Sequence, residues 1–154
     1  MSSAVYDFKY KNKRYYGKIF AEEMGKRFSD LIRMWDINEI IPVPIHKKRL
    51  KQRGFNQSDI IAEELGRIMG IPVSKDKIIR IKNTRPQKAL DDIERIKNIR
   101  DAFSNIEGYK PEKNVLVIDD IFTTGTTIRH IAQKLKALGA EKVFFLTISI
   151  GQGI

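Results

Sequence analysis

Asp119 and Asp120 stand side by side after the apolar run Val115 to Ile118, and Thr123, Thr124, Thr126 and Thr127 surround Gly125 just beyond them. Carboxylates accept hydrogen bonds from hydroxyls. The threonines and the glycine belong to the opposite chemistry. A turn that opens a helix offers unpaired N–H groups and about half a positive charge. Glycine allows a tight turn and the close approach of an anion, so the second half of the stretch reads as a phosphate site. One stretch thus asks for a hydroxyl-rich partner and an anionic one. Bland readings exist for each half. A Thr before a helix is ordinarily an N-cap, and an acid after a strand is ordinarily a loop acid. Strand, acid pair and Thr/Gly turn in direct succession favour binding over both. The stretch has neither G-x-x-x-x-G-K-[ST] nor G-x-G-x-x-G, so it is neither a Walker A loop nor a dinucleotide fingerprint.

The elements around it must place this stretch at the carboxyl edge of a sheet, where ligands of open α/β folds bind. Val115 to Ile118 is an unbroken β-rich apolar run, which predicts a strand buried on both faces, as in a parallel sheet. Thr126 to Leu138 repeats apolar residues at helical spacing (Ile128, Ile131, Leu135, Leu138) and stops at Gly139. Lys142 to Ile150 reads as a second buried strand. Residues 114–150 therefore form a β-α-β unit. Upstream, Tyr16, Phe20, Met24, Phe28, Leu31 and Trp35 predict an amphipathic helix from Asn12 to Trp35. NEIIPVPI is a short strand at an edge or near its end, because Pro42 and Pro44 lack N–H donors. HKKRLKQRGFNQ reads as a basic loop. Ser58 to Met69 is a helix with Ile61, Leu65 and Ile68 inward. Residues 71–82 hold one or two short strands, KNTRPQKALDD is an exposed loop, and Ile93, Ile96, Ile99 and Phe103 mark a short helix. Asn105 to Lys113 is a turn. Strands alternating with helices give an α/β domain with a mostly parallel sheet flanked by helices on both faces.

The chain has 154 residues, one domain's worth, and no cysteine. That excludes a disulfide scaffold and a thiolate metal site. Only His46 and His130 are present, so a histidine-rich metal site is excluded too. No apolar run approaches the roughly 20 residues that span a bilayer. The N-terminal residues lack the apolar middle of a secretion signal, and the expected location is the cytoplasm. Lys and Arg total 29 against 19 acids, a net charge of +10. This balance favours anionic partners such as polyphosphates or nucleic acid, against the plainer reading of a solvated basic surface.

VLVIDDIFTTGTT closely resembles the phosphoribosyl pyrophosphate motif of type I phosphoribosyltransferases. The resemblance implies that Thr123, Thr124, Gly125, Thr126 and Thr127 hold the 5-phosphate, and that Asp119 and Asp120 face the ribose 2- and 3-hydroxyls. A second resemblance covers nearly the whole chain, residues 1–154, as one domain. IPVPIHKKRLKQRGFNQSDIIAEELG, followed by NTRPQKAL and ERIKNIRDAF, is similar to the ComF competence-protein family. Its pattern V-P-x-H-x-x-R-x-x-x-R-G-F-N-Q is met by Val43, Pro44, His46, Arg49, Arg53, Gly54, Phe55, Asn56 and Gln57. Many members of that family begin with a four-cysteine zinc module and a first strand. This sequence has neither and opens on DFKYKNKRYYGK.

The resemblance implies that His46, Lys47, Arg49 and Arg53 contact pyrophosphate. Arg53 has the alternative of bracing the Gly54-Phe55-Asn56 turn, and Lys48 and Lys51 read as solvated. It makes NTRPQKAL a hood whose Arg85 and Lys88 fold over the ligand and exclude water, against a plain basic surface loop. His130 reads as solvent-exposed, and Trp35 and the tyrosines as core. Two functions are implied. In one, the chain is a phosphoribosyltransferase that releases pyrophosphate, with Mg²⁺ brought by phosphoribosyl pyrophosphate and with Asp119, Asp120, Arg85 and Lys88 at the reacting centre. No residue set that reads an acceptor base is visible. In the other, it is a non-catalytic competence protein that binds single-stranded DNA alongside partner proteins of the competence machinery, with phosphoribosyl pyrophosphate as regulator. Lys9, Lys11, Lys13, Arg14 and Lys18, interleaved with Tyr10, Tyr15 and Tyr16, would suit a phosphate backbone. A ligand-sensing regulator on the same fold is a weaker third, since no helix-turn-helix is seen.

Overall fold

The apolar run Val115 to Ile118 is completely buried, at the heart of a computed structural model that describes Asp7 and residues 14–82 and 102–151. It belongs to strand β4 (Asn114–Phe122), the middle strand of a three-stranded parallel sheet. On one side lies β1 (Glu39–Pro42), with Ile40 opposite Leu116 and Pro42 opposite Ile118. On the other lies β5 (Lys142–Ile150), with Val115 opposite Val143 and Asp119 opposite Thr147. An isolated parallel bridge joins Ile40 to Val73 outside β1. Pro42, which cannot donate to a ladder, closes β1, and Val43 N takes over by donating to Ile118 O at 2.8 Å.

Pleat alternation divides β4 between two cores. Leu116 and Ile118 join Ile40 in a cluster with Ala21, Met24 and Ile32 of helix α1 (Tyr15–Met34) and Ile61, Ala62 and Leu65 of helix α3 (Gln57–Met69). Val115 and Val117 join Ile41 in a second cluster with Ile131 and Leu135 of helix α4 (Thr126–Ala137). A small antiparallel pair, β2 (Ile78–Arg80) with β3 (Phe103–Asn105), adds Ile78 and Phe103 to that second core. Each fully buried Val, Leu or Ile contributes roughly 1.5–3 kcal/mol. β4 alone supplies four such residues, so its position, and that of the residues after it, is firmly set.

Several expectations are corrected. HKKRLKQR is not a loop: Lys47–Arg53 forms a short helix, α2, capped by His46 at its start and by left-handed Gly54 at its end. Ile68 faces solvent, and Ala62 and Gly66 take the inward positions beside Ile61 and Leu65. Phe103 lies in strand β3, not in a helix. β4 runs on through both aspartates to Phe122. β5 is not buried, and Phe145 is 44% exposed. Tyr15 is also exposed, and His130 is half-buried. Trp35 packs as expected, stacked on Phe144 at 4.5 Å. The predicted helix start at Asn12, residues Lys9, Tyr10, Lys11 and Lys13, the NTRPQKAL loop, and Ile93, Ile96 and Ile99 lie outside the described residues. Among the described residues, no helix is long and apolar enough to cross a membrane.

Candidate functional site

The Thr/Gly turn joins β4 to α4 at the carboxyl end of the sheet. Gly125 has φ +74° and occupies the N-cap position of α4, where no side chain caps the helix. No N-cap side chain therefore competes with an incoming anion for the first turn of α4. Thr124 Oγ1 makes only a long contact, 3.5 Å, with the N–H of Thr126, the first residue of α4. The Oγ1 atoms of Thr124 and Thr126 instead hydrogen-bond each other at 2.7 Å across the turn. A Cβ on residue 125 would fall 2.9 Å from Cε2 of Phe122, so glycine is required by backbone angle and by space. The turn encloses a small hollow of about 40 Å³ lined by Asp119, by residues 121–127 and by Ile128.

Asp119 and Asp120 take different places. Strand alternation sends consecutive side chains to opposite faces. Asp119 shares the face of Val115 and Val117, under α4, and lines the hollow; Asp120 is not among its lining residues. The Asp120 N–H donates to Oδ1 of Asp119 at 2.8 Å, which fixes the first carboxylate's orientation. Both side chains are half-buried.

The basic segment is placed by the end of β1. His46 starts α2, its Nδ1 accepting from Lys48 N at 3.2 Å. Gly54 ends α2 with φ +79°, which turns the chain sharply into α3. Buried Asn56 secures that turn: its amide donates to Val43 O at 2.9 Å, and its Oδ1 accepts from Ser58 N at 3.2 Å as the cap of α3. Arg53 Nη1 lies 3.4 Å from Gln57 Oε1 across the same turn. This contact fits the bracing alternative for Arg53. Lys47 is exposed on α2, and Arg49 is half-buried.

Arg80, on β2, was not singled out in the sequence. It is half-buried, with its guanidinium 5.5 Å from the centre of the Phe103 ring. Burial lowers its pKa first, the charge of Arg49 lowers it further, and the charge of Asp119 opposes both. One guanidinium thus feels the basic helix and the acid of the hollow together. Asp119 lines the hollow of the Thr/Gly turn, and its charge and that of Arg49 both act on Arg80. Arg53 stays in a turn contact, while Arg85 and Lys88 lie outside the described residues. No motif flagged Arg80; a lone Arg in a weakly alternating segment carries no signal of its own. Among the described residues, no group of three or more His, Cys, Asp or Glu side chains converges on a metal position.

Comparison with known proteins bears on this arrangement. Residues 50–149 match the family model described as the phosphoribosyl transferase domain. Competence protein F of Haemophilus influenzae is 30% identical over 148 residues, which cover 93% of this chain and 65% of that protein. Competence protein ComFC of Bacillus subtilis is 35% identical over 103 residues, covering 65% of this chain and 39% of the relative. The chain thus spans less than two thirds of the length of either. Among solved structures, adenine phosphoribosyltransferase of Saccharomyces cerevisiae superposes over 85% of this chain and 66% of its own with a TM-score of 0.55 and 11% identity, which speaks for the fold alone.

Proposed function

The chain belongs to the phosphoribosyl transferase domain family as a ComF-like member with the type I fold, and we propose that its site binds phosphoribosyl pyrophosphate. The observation that carries this is the polarity of the site. The Thr123 to Thr127 turn and the start of α4, where the N-cap is a glycine without a side chain, offer donors to a phosphate. Asp119 beside them offers a carboxylate to ribose hydroxyls. Arg49 and Arg80, two guanidiniums close enough to repel, offer charge to a pyrophosphate. A ligand with phosphate at one end, a diol in the middle and pyrophosphate at the other meets all three. His46 and Lys47 extend the basic side, and Asp120, Arg85 and Lys88 are assigned to the same ligand.

Mg²⁺ enters this reading with the pyrophosphate. The carboxylates of Asp119 and Asp120 are donors of the right kind for a hard cation, and an ion that keeps most of its own waters needs no protein cage. Bound there, Mg²⁺ would neutralise charge on the pyrophosphate. If the site turns over, the bond from ribose C1 to the pyrophosphate oxygen breaks, the electron pair leaves with pyrophosphate, and a nucleophile bonds to C1. Arg49 and Arg80 would stabilise the charge that grows on the leaving group. Asp119 would steady the cationic sugar from the diol side.

Calorimetry with phosphoribosyl pyrophosphate in the presence of Mg²⁺ tests the binding. The expected result is saturable binding that weakens at least tenfold, about 1.4 kcal/mol, in an Asp119→Asn, Thr126→Val variant. Equal affinity in wild type and variant, or no binding in either, rejects the assignment. Release of pyrophosphate across a panel of nucleobases separates a transferase from a binding module.

The competence names of the relatives and the net charge of +10 favour one further reading, a role in handling DNA taken up during natural transformation. Exposed Lys47, Lys48 and Lys51 on α2 give a single strand a basic approach beside the site. An affinity for single-stranded DNA that does not fall with salt would remove that electrostatic argument.

A further inference from the structure

The outer edge of β5 is the least explained surface of the molecule. KVFFLTISI carries one charge, Lys142, and no proline over nine residues. Strand edges left open in natural proteins are usually protected by charge, proline or a bulge. Here no strand lies beyond β5 among the described residues. Lys142 N donates to Lys113 O, toward β4. In a parallel ladder the next residue's N–H and C=O point the other way, so Val143 and Phe145 direct theirs outward. Phe145 is 44% exposed although it stacks on Phe122 at 5.5 Å and 10°. Alongside β5 runs a largely apolar groove of about 360 Å³, lined by Phe20, Met24 and Phe28 of α1 and by Thr147 and Ile148. Two charges stand at its rim, Glu23 and Arg27, one helical turn apart and 3.5 Å from each other.

From this edge we infer that two copies of the chain join through β5, pairing antiparallel about a twofold axis to continue the sheet. Three observations select a second copy as the occupant. Among the described residues the outer edge offers outward N–H and C=O groups of alternate residues, which another extended backbone satisfies in series. The rim charges are self-complementary. A twofold normal to the sheet lays the two α1 helices antiparallel on the same face, so Glu23 of each copy meets Arg27 of the other. The area also suffices. β5 and α1 are each about 30 Å long, and a strip that long across sheet and helix layers offers on the order of 800 Å² per copy, the size of an ordinary stable interface.

Sedimentation of the full chain from ~1 to ~100 μM, the range in which interfaces of this size commonly dissociate, tests the inference. A reversible dimer is expected. Phe145→Lys places a charge on the pairing edge at an already exposed position and should weaken the dimer at least tenfold. Glu23→Arg should also weaken it, and Glu23→Arg with Arg27→Glu should restore it. Circular dichroism accompanies each variant; should Phe145→Lys unfold, the charge pair alone decides. A chain that stays monomeric throughout overturns the inference. So does a dimer indifferent to Phe145→Lys, or a charge exchange that fails to restore what Glu23→Arg removes. Ligand calorimetry on the Glu23→Arg variant, whose change lies on α1 away from the Phe122–Phe145 stack, reads the phosphoribosyl site separately, so failure of one reading leaves the other standing.

Discussion

Gly125→Ala tests whether the Thr/Gly turn before α4 requires a residue without a side chain. Two separate costs are expected. At φ +74° an alanine occupies the left-handed region at a cost of roughly 1–2 kcal/mol. Its Cβ would also meet the Phe122 ring at 2.9–3.0 Å, inside the contact distance of real Cβ atoms. Phe122 stacks on Phe145, so the ring cannot swing away without breaking that contact. Relief by a backbone shift costs about 1–3 kcal/mol, the range for overpacked sites. Together the loss is about 2–5 kcal/mol. Urea denaturation measures it, and the midpoint should fall without a change in m. The diagnostic step is a double-mutant cycle with Phe122→Ala, which removes the ring and leaves the backbone cost. In that background Gly125→Ala should lose only the conformational part, about 1–2 kcal/mol. The reasoning is refuted if Gly125→Ala costs less than about 0.5 kcal/mol, the range of an inert surface change. It is refuted equally if the cost is the same with and without the ring. Binding of phosphoribosyl pyrophosphate should fall further than stability does, because the strained turn misaims the first N–H groups of α4.

Three other outcomes follow from the geometry. Arg80→Met should weaken phosphoribosyl pyrophosphate binding at least tenfold while leaving the urea midpoint nearly unchanged, since it removes a half-buried charge that Arg49 repels and Asp119 attracts and keeps an apolar side chain against Phe103; calorimetry beside denaturation reads the two separately. Tyr109→Phe should cost about 1.5–3 kcal/mol, the value of a hydrogen bond to a charged group, because the Tyr109 hydroxyl donates to buried Glu39 Oε1 at 2.8 Å and leaves Glu112 N as its companion on Oε2. Burial pushes the Asp59 carboxyl up from 3.8 to about 6, against the charge of Lys75. The folded state then binds more protons than the unfolded one between those values, so stability should fall as pH rises from about 4 to 6 and stay level above. The two-unit gap sets a ceiling near 3 kcal/mol, reduced by the side chain's remaining contact with water. Asp59→Asn should remove that slope in pH-dependent denaturation, and an unchanged slope would show that another group carries it.

The parts of the fold legible in the sequence are those where one physical demand dominates. Val115 to Ile118 had to be buried on both faces, and the structure puts all four in the two cores. α4 and α1 show the same agreement because their apolar spacing fits only one period. The misreadings fall where composition outweighed geometry. HKKRLKQR reads as a loop because six of its eight residues are basic, yet a His46 cap and a left-handed Gly54 close about two turns of helix between them. Phe103 fitted a helical period continued from Ile93, Ile96 and Ile99, but pairing with Arg80 holds it in a strand. β5 looked buried because its residues are apolar. Burial depends on what lies beside a strand, and its sequence cannot say that β4 flanks it on one side while no described strand flanks the other.

The site divides along the same line. Its contiguous part, from Asp119 to Thr127, could be named from the sequence because the β4-to-α4 connection brings strand end, acid and turn together locally. Its distant part could not. Arg49 and Arg80 are 31 positions apart, and the charge of one reaches the other because Asn56 ties the start of α3 to the end of β1 while β2 packs through Ile78 on the second core. Neither tie has a sequence signature at Arg80. The consequence is chemical. An acid and a phosphate turn alone describe a pocket for a sugar phosphate. In the proposed function, Arg49 and Arg80, whose charges act on each other, add a basic side suited to a second, multiply charged anion. That second anion is what distinguishes phosphoribosyl pyrophosphate from an ordinary pentose phosphate. Loss of Arg80 should therefore erase the preference for the pyrophosphorylated sugar over ribose 5-phosphate, while loss of Thr126 weakens both alike.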